Sequence, residues 1–180
     1  SRTVRGDLGE SYRTREPVVD IAKRRAPTSF RLAFWAVMIE ASVGIGSGML
    51  SARKRNSIGD YVTTIAAVVA SAIPVFVLAY MLRQVTGVYA YQHGWPEWAR
   101  FPTIGFGDDE WVLGVIPTGN TWRHLIQPAF VLAAVGTAML ARITRTSMLE
   151  AMRLDHVRTA RAKGLGEKQV LFKHVLRNAM

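Results

Sequence analysis

The four histidines, His93, His124, His156 and His174, are the first candidates for acid–base or metal chemistry. No two of them share a helix face at metal-ligand spacing. Cysteine is absent, which excludes a disulfide scaffold and any thiolate, zinc–cysteine or iron–sulfur site. No Ser, His and Asp grouping marks a triad, so the sequence offers no site for covalent chemistry. Glu40 is a different kind of candidate, because it lies near the middle of an apolar run. An acid inside a membrane span is a functional hypothesis by default, and a protonated or hydrogen-bonded structural role is its equal alternative. Gly44, Gly46 and Gly48 fall in "GIGSGML". Their spacing is not that of a nucleotide fingerprint, and no strand-to-helix junction surrounds them. Gly44 and Gly48 share a helix face, where with Ala41 and Ser47 they admit a second helix at close range. Pro74 and Pro128 each remove a helix hydrogen bond and predict kinks.

The strongest local signal is residues 142–180, "RITRTSMLEAMRLDHVRTARAKGLGEKQVLFKHVLRNAM". Between 142 and 177 nine Lys/Arg face three Asp/Glu. Met148, Leu149, Met152 and Val157 recur at near-helical spacing, Leu171 and Val175 lie one turn apart, and Gly164–Leu165–Gly166 separates the two stretches. A basic helix–turn–helix of this kind suits a nucleic-acid reader through 142–177. It equally suits a basic face on anionic lipid.

The elements that must position these residues are apolar blocks. Leu32 to Leu50 carries one charge, Glu40; Tyr61 to Leu82 carries none; Leu125 to Ala141 carries none and is followed by Arg142 and Arg145. About 20 apolar residues in a helix cross a hydrocarbon core of roughly 30 Å. Arg142 and Arg145 can snorkel and extend the third block. The expected class is all-α and polytopic, with spans at 29–50, 61–83 and 124–147. Three buried helices of a soluble protein are the alternative.

The net charge is +10. It suits anionic lipid, nucleic acid or an acidic partner. Arg53, Lys54 and Arg55 place the 51–60 loop, and the basic C-terminal segment 148–180, in the cytoplasm. The 84–123 loop, with Glu97, Asp108, Asp109 and Glu110 against Arg100 and Arg123, then lies outside. It holds Trp95, Trp98, Trp111 and Trp122, the last two read as interface markers. Three spans force residues 1–28 outside as well, against their seven Lys/Arg and four Asp/Glu.

"TARAKGLGEKQVLFKHVLRNA" resembles the cytoplasmic signature loop of permease subunits of binding-protein-dependent ABC importers. It is most similar to the dipeptide, oligopeptide and nickel group, first-permease type. The general motif reads Glu-Ala-Ala, three residues, then Gly; here Arg158, Thr159 and Ala160 hold the first places and Gly164 the last. His174, Leu176 and Arg177 stand where the general motif has Ile, Leu and Pro. The peptide group reads much like "RTARAKGL", intact at 158–165, with His followed by "LRNA". "GDLGES" at 6–11, "PVVDIAKRRAPTSFRL" at 17–32, "NSIGDY" at 56–61, "SAIPVFVLAYML" at 71–82, "IPTGN" at 116–120 and "HLIQPAFVLA" at 124–133 fit the same group.

The resemblance implies a permease-like helix bundle in the bacterial or archaeal cytoplasmic membrane. It implies a span before Ser1 and more after Met180, which accounts for basic residues 1–28 lying outside. It implies a second permease subunit, an extracytoplasmic solute-binding protein and two cytoplasmic ATPase subunits. ATP is then bound and hydrolysed by those partners, with no cofactor on this chain and no nucleic acid expected. Arg158, Thr159, Ala160, Arg161, Ala162, Lys163, Gly164, Leu165 and His174 become the ATPase-coupling residues. Glu40, Gly44, Gly48 and Pro74 become candidates for the solute path or its packing.

Overall fold

A computed structural model describes residues 8–105 and 111–179. Gly6 and Asp7, and the loop acids Asp108, Asp109 and Glu110, lie outside the described residues.

Two long helices form the frame. Helix α1 (Val18–Arg53) and helix α5 (Thr121–Ala151) have 36 and 31 residues. At 1.5 Å per residue both outreach a hydrocarbon core of roughly 30 Å. α1 already begins at Val18, inside the segment read as 1–28. Each helix carries an interior proline, Pro27 in α1 and Pro128 in α5, and continues through it. Their contact is made by glycines. A Cβ on Gly44 would meet the Leu140 side chain at 3.0 Å, and one on Gly48 would meet the Ala141 carbonyl oxygen at 2.5 Å. Gly46, on another face, has nothing within 4 Å.

The run expected as one span over 61–83 is two helices, α2 (Ile58–Ala72) and α3 (Val75–Leu82), with a bend of 100° between α2 and the Val75–Gln92 segment. Pro74 is the cause. A proline pushes the residue before it out of the helical region, and Ile73 sits extended at φ −85°, ψ 121°. Pro74 then starts α3, where its missing N–H costs nothing.

The helix continues beyond Arg83, where a loop is expected, through a π-helical stretch Arg83–Tyr89 into α4 (Ala90–Gln92). The Leu82 carbonyl accepts from Thr86 Oγ1 at 2.8 Å and from Gln127 Nε2 at 3.3 Å, which ties this stretch to α5. The rest of the long connection is a 3-10 turn at Glu97–Ala99 and a hairpin, β1 (Trp111–Val112) and β2 (Ile116–Pro117). Arg31 fastens the hairpin to α1 by donating to Gly114 O at 2.9 Å while its guanidinium lies 4.4 Å from the Trp111 ring centre. Trp35 Nε1 donates to Val115 O at 2.7 Å.

At the opposite end α5 leads into α6 (Asp155–Ala162), a glycine turn, α7 (Glu167–Gln169), a π-helical stretch Val170–Leu176 and α8 (Arg177–Ala179). The buried apolar cluster lies here: Ala52, Met148, Ala151, Val157, Ala160, Val170, Leu171 and Val175. Along the long helices the apolar residues face outward instead. Only 17% of the apolar window of α1 and 22% of that of α5 is buried. Phe34, Val37, Ile65, Val68, Phe130 and Met139 are among the exposed side chains. A soluble protein would bury such faces, so the arrangement is that of an all-α polytopic membrane bundle, not three core helices.

Candidate functional site

The 155–179 unit is built around one turn. Gly164 holds φ +78°, a left-handed conformation that glycine adopts most readily and β-branched residues strain to reach. A Cβ there would meet nothing within 4 Å, so conformation, not crowding, selects the glycine. The turn closes with Gly164 N donating to Arg161 O at 2.9 Å. Arg161 also bridges it through its side chain, donating from Nη2 to Glu167 Oε1 at 2.9 Å and from Nε to Oε2 at 3.3 Å. The Arg161 hydrogen bonds hold the Glu167 carboxyl below its ordinary range, and Glu167 raises the Arg161 pKa in turn.

The residues expected to couple to an ATPase divide between two sides of this unit. Arg158, Thr159, Arg161, Ala162, Lys163 and Gly164 are exposed. Ala160 is 4% exposed and packs into the chain's own core, so it is not available on the outer face. Leu165 is half-buried against the same core. His174 is half-buried, and its carbonyl accepts from Asn178 Nδ2 at 2.6 Å. Phe172, Lys173 and Arg177 extend the basic exposed face. The core beneath draws Met49 and Ala52 from α1 and Met148 and Ala151 from α5. The unit is therefore seated on the ends of both long helices.

Directly above it sits a buried polar cluster. Asp60, in the first turn of α2, is 3% exposed. Arg145 of α5 grips both carboxylate oxygens with one edge of its guanidinium, Nε to Oδ1 at 2.7 Å and Nη2 to Oδ2 at 2.8 Å. Ser51 of α1 donates its hydroxyl to Oδ1, and the Asn56 amide donates to Oδ2 at 2.9 Å. Asn56 reaches that position by holding φ +61° in the α1–α2 turn, and Ser57 caps α2 by accepting from Asp60 N at 3.3 Å. Every acceptor position of the carboxylate is met, which is what a buried charge requires. The sequence reading missed this cluster. Arg145, expected to snorkel to the membrane interface and extend the span, turns inward to Asp60 instead. The available signals were Ser57 three residues before Asp60, a helix start, and the "NSIGDY" match.

Glu40 lies against α5. A Cβ on Gly136 would overlap its carboxylate, so the glycine is what leaves room for it. Among the described residues no side chain or backbone group is hydrogen-bonded to Glu40. Gly44 and Gly48 sit in the α1–α5 contact and Pro74 in the α2–α3 break, so these four residues do not converge on one site. A cavity of about 470 Å³ opens between α1, α2 and α5, lined by Ser47, Thr63, Thr64, Ser71 and Arg142 among others. A more apolar one of about 240 Å³ adjoins it, lined by Val43, Ala66, Ala70 and Phe130 among others. Among the described residues no group of three His, Asp or Glu is placed to hold a metal.

The geometry gives a helix–turn–helix reader no foothold. Residues 142–151 are the end of α5, and the second stretch turns Val170, Leu171 and Val175 into the chain's own core.

Residues 44–180 match the family of binding-protein-dependent transport system inner membrane components. The chain is 35% identical over 189 residues to the dipeptide transport system permease protein DppB of Alkalihalophilus pseudofirmus, covering 97% of this chain and 55% of that protein. It is 36% identical over 184 residues to the glutathione transport system permease protein GsiC of Escherichia coli K12, covering 100% of this chain and 52% of that one. The chain thus spans about half the length of the curated relatives it matches.

Proposed function

The chain belongs to the family of binding-protein-dependent transport system inner membrane components, and from that premise we propose that it is part of a permease subunit of an ABC importer for peptides or peptide-like solutes. The relatives named for dipeptide and glutathione transport support the solute class. The observation that carries the mechanism is the 155–179 unit. It presents an exposed basic face on a rigid glycine turn, and its core is shared with the ends of α1 and α5.

In this reading the unit docks on an ATPase subunit in the cytoplasm, with 51–60 on the same side and the 93–120 connection outside. Arg158, Lys163, Lys168 and Lys173 meet acidic groups of that partner, and Phe172 supplies an apolar contact. ATP is bound and hydrolysed by the partners. Their closure moves the docked unit as a rigid body, and the shared core passes that motion to the long helices, alternating access to a path beside a second permease. An extracytoplasmic binding protein delivers the solute. The membrane is the bacterial or archaeal cytoplasmic membrane.

The test is uptake by the complete transporter in proteoliposomes loaded with ATP. Gly164→Val, which forces a β-branched residue into a left-handed conformation, is expected to abolish peptide uptake. Gly164→Asn, whose side chain tolerates that conformation, is expected to retain it. Uptake by Gly164→Val equal to the wild type would sink the docking model.

A further inference from the structure

Helix α2 is held in an unusual way. Its 15 residues include one buried residue, and that residue is Asp60. The apolar side chains Tyr61, Val62, Ile65, Val68 and Val69 all point outward. α2 contributes nothing to the core beneath the docking unit, which is built from α1, α5 and residues 157–179. At its far end α2 is separated from α3 by the Ile73–Pro74 break with its 100° bend. The helix rests on α5 and α1 through half-buried Thr63, Ala67 and Ala70, ends at the Pro74 break, and is gripped at its start by the one buried carboxylate.

The grip has a definite geometry. Arg145 binds both carboxylate oxygens, which fixes the direction of the pair as well as its distance. Arg145 lies one turn before Met148, which is buried in the docking unit's core, and Ser51 is the neighbour of Ala52 in the same core. Both side chains that bind Asp60 are thus carried on helix ends seated in the unit's core. The 470 Å³ cavity lies along α2, between it and α1 and α5, with Thr63 and Thr64 one turn beyond Asp60 on its wall. The position of α2 therefore sets the width of that cavity.

We propose that the Ser51–Asp60–Arg145 cluster transmits motion of the 155–179 unit to α2, making Asp60 and Arg145 positioning residues that couple ATP hydrolysis to solute passage. The proposal rests on the permease reading. It gives the buried pair a task that apolar packing cannot perform, since an apolar contact slides where a two-pronged ion pair does not.

The experiment uses the complete transporter in proteoliposomes and reads solute moved per ATP hydrolysed. Asp60→Asn and Arg145→Lys keep the shape of the site but remove the charge or the two-pronged grip. Both are expected to assemble with the ATPase and to hydrolyse ATP at near the wild-type rate. Solute per ATP should fall about tenfold, the scale of a typical coupling between sites. In a complete transporter whose other cysteines are replaced, a Ser51→Cys/Asp60→Cys pair joined by a short thiol cross-linker offers a mechanical substitute. The joined protein should recover solute per ATP relative to the unjoined one. Unchanged solute per ATP in Arg145→Lys overturns the proposal, as does hydrolysis and uptake falling in equal proportion. No recovery on cross-linking also overturns it. A wild-type complex that recovers no ATPase is a different result: it removes the permease reading, and this proposal with it.

Discussion

Arg161 and Glu167 face each other across the Gly164 turn, with side chains about half exposed. Solvent screens such a pair, so its stabilisation is about 0–1 kcal/mol. Glu167 has a lowered pKa in the folded chain, so its contribution is present at neutral pH. That contribution is lost as pH falls through the folded value. Arg161→Gln is expected to return the Glu167 titration midpoint, read by NMR, to the ordinary glutamate range; an unmoved midpoint would show that Arg161 is not the cause. The α1–α5 contact makes a sharper claim. Gly48→Ala forces a Cβ onto the Ala141 carbonyl oxygen and Thr144, and overpacking of this kind costs about 1–3 kcal/mol. Gly46→Ala meets open space and is expected to be neutral. Unfolding of the two variants in detergent by denaturant separates them, and equal stability would contradict the packing. Gly44 and Gly48 were legible from their spacing of four, because that number puts them on one face. The Asp60–Arg145 pair was not. Asp60 ends "KRNSIGD" and reads as loop, and its partner is 85 residues away, a distance that no local pattern spans.

At the scale of elements, the helix–glycine turn–helix at 155–177 was readable because a left-handed turn needs a residue without a Cβ. Its cost when violated is strain of about 1–3 kcal/mol. Gly164→Val is therefore expected to raise hydrogen exchange at amides 160–170, while Gly164→Asn leaves it nearly unchanged. Equal protection in both would mean that the turn is not held at positive φ. The two π-helical stretches, Arg83–Tyr89 and Val170–Leu176, left no mark in the sequence. Each needs one extra residue per turn, and composition does not record that. The extent of the bend within the second apolar run was not legible because hydropathy counts side chains and ignores the backbone. Pro74 was in view as a kink, but the size of the bend follows from Ile73 being driven fully extended.

At the scale of the whole molecule, the outward-facing apolar surfaces of α1, α2 and α5 need cover by lipid or by neighbouring helices. The family that residues 44–180 match is one of inner membrane components, consistent with lipid covering part of those surfaces. The class of the fold was legible because three near-charge-free runs leave few alternatives to a membrane. How the runs pack was not, since it depends on where glycines meet a partner helix and on one buried ion pair. The 155–179 unit ties these levels together, because its core is shared with the ends of α1 and α5. The most direct measurement is affinity purification of the complete protein in mild detergent, with co-purified proteins identified by mass spectrometry. Recovery of a P-loop ATPase with the wild type, and its loss with Gly164→Val in protein that still inserts into the membrane, is the predicted result. Recovery of the chain with no ATPase, or equal recovery with both forms, would contradict the account.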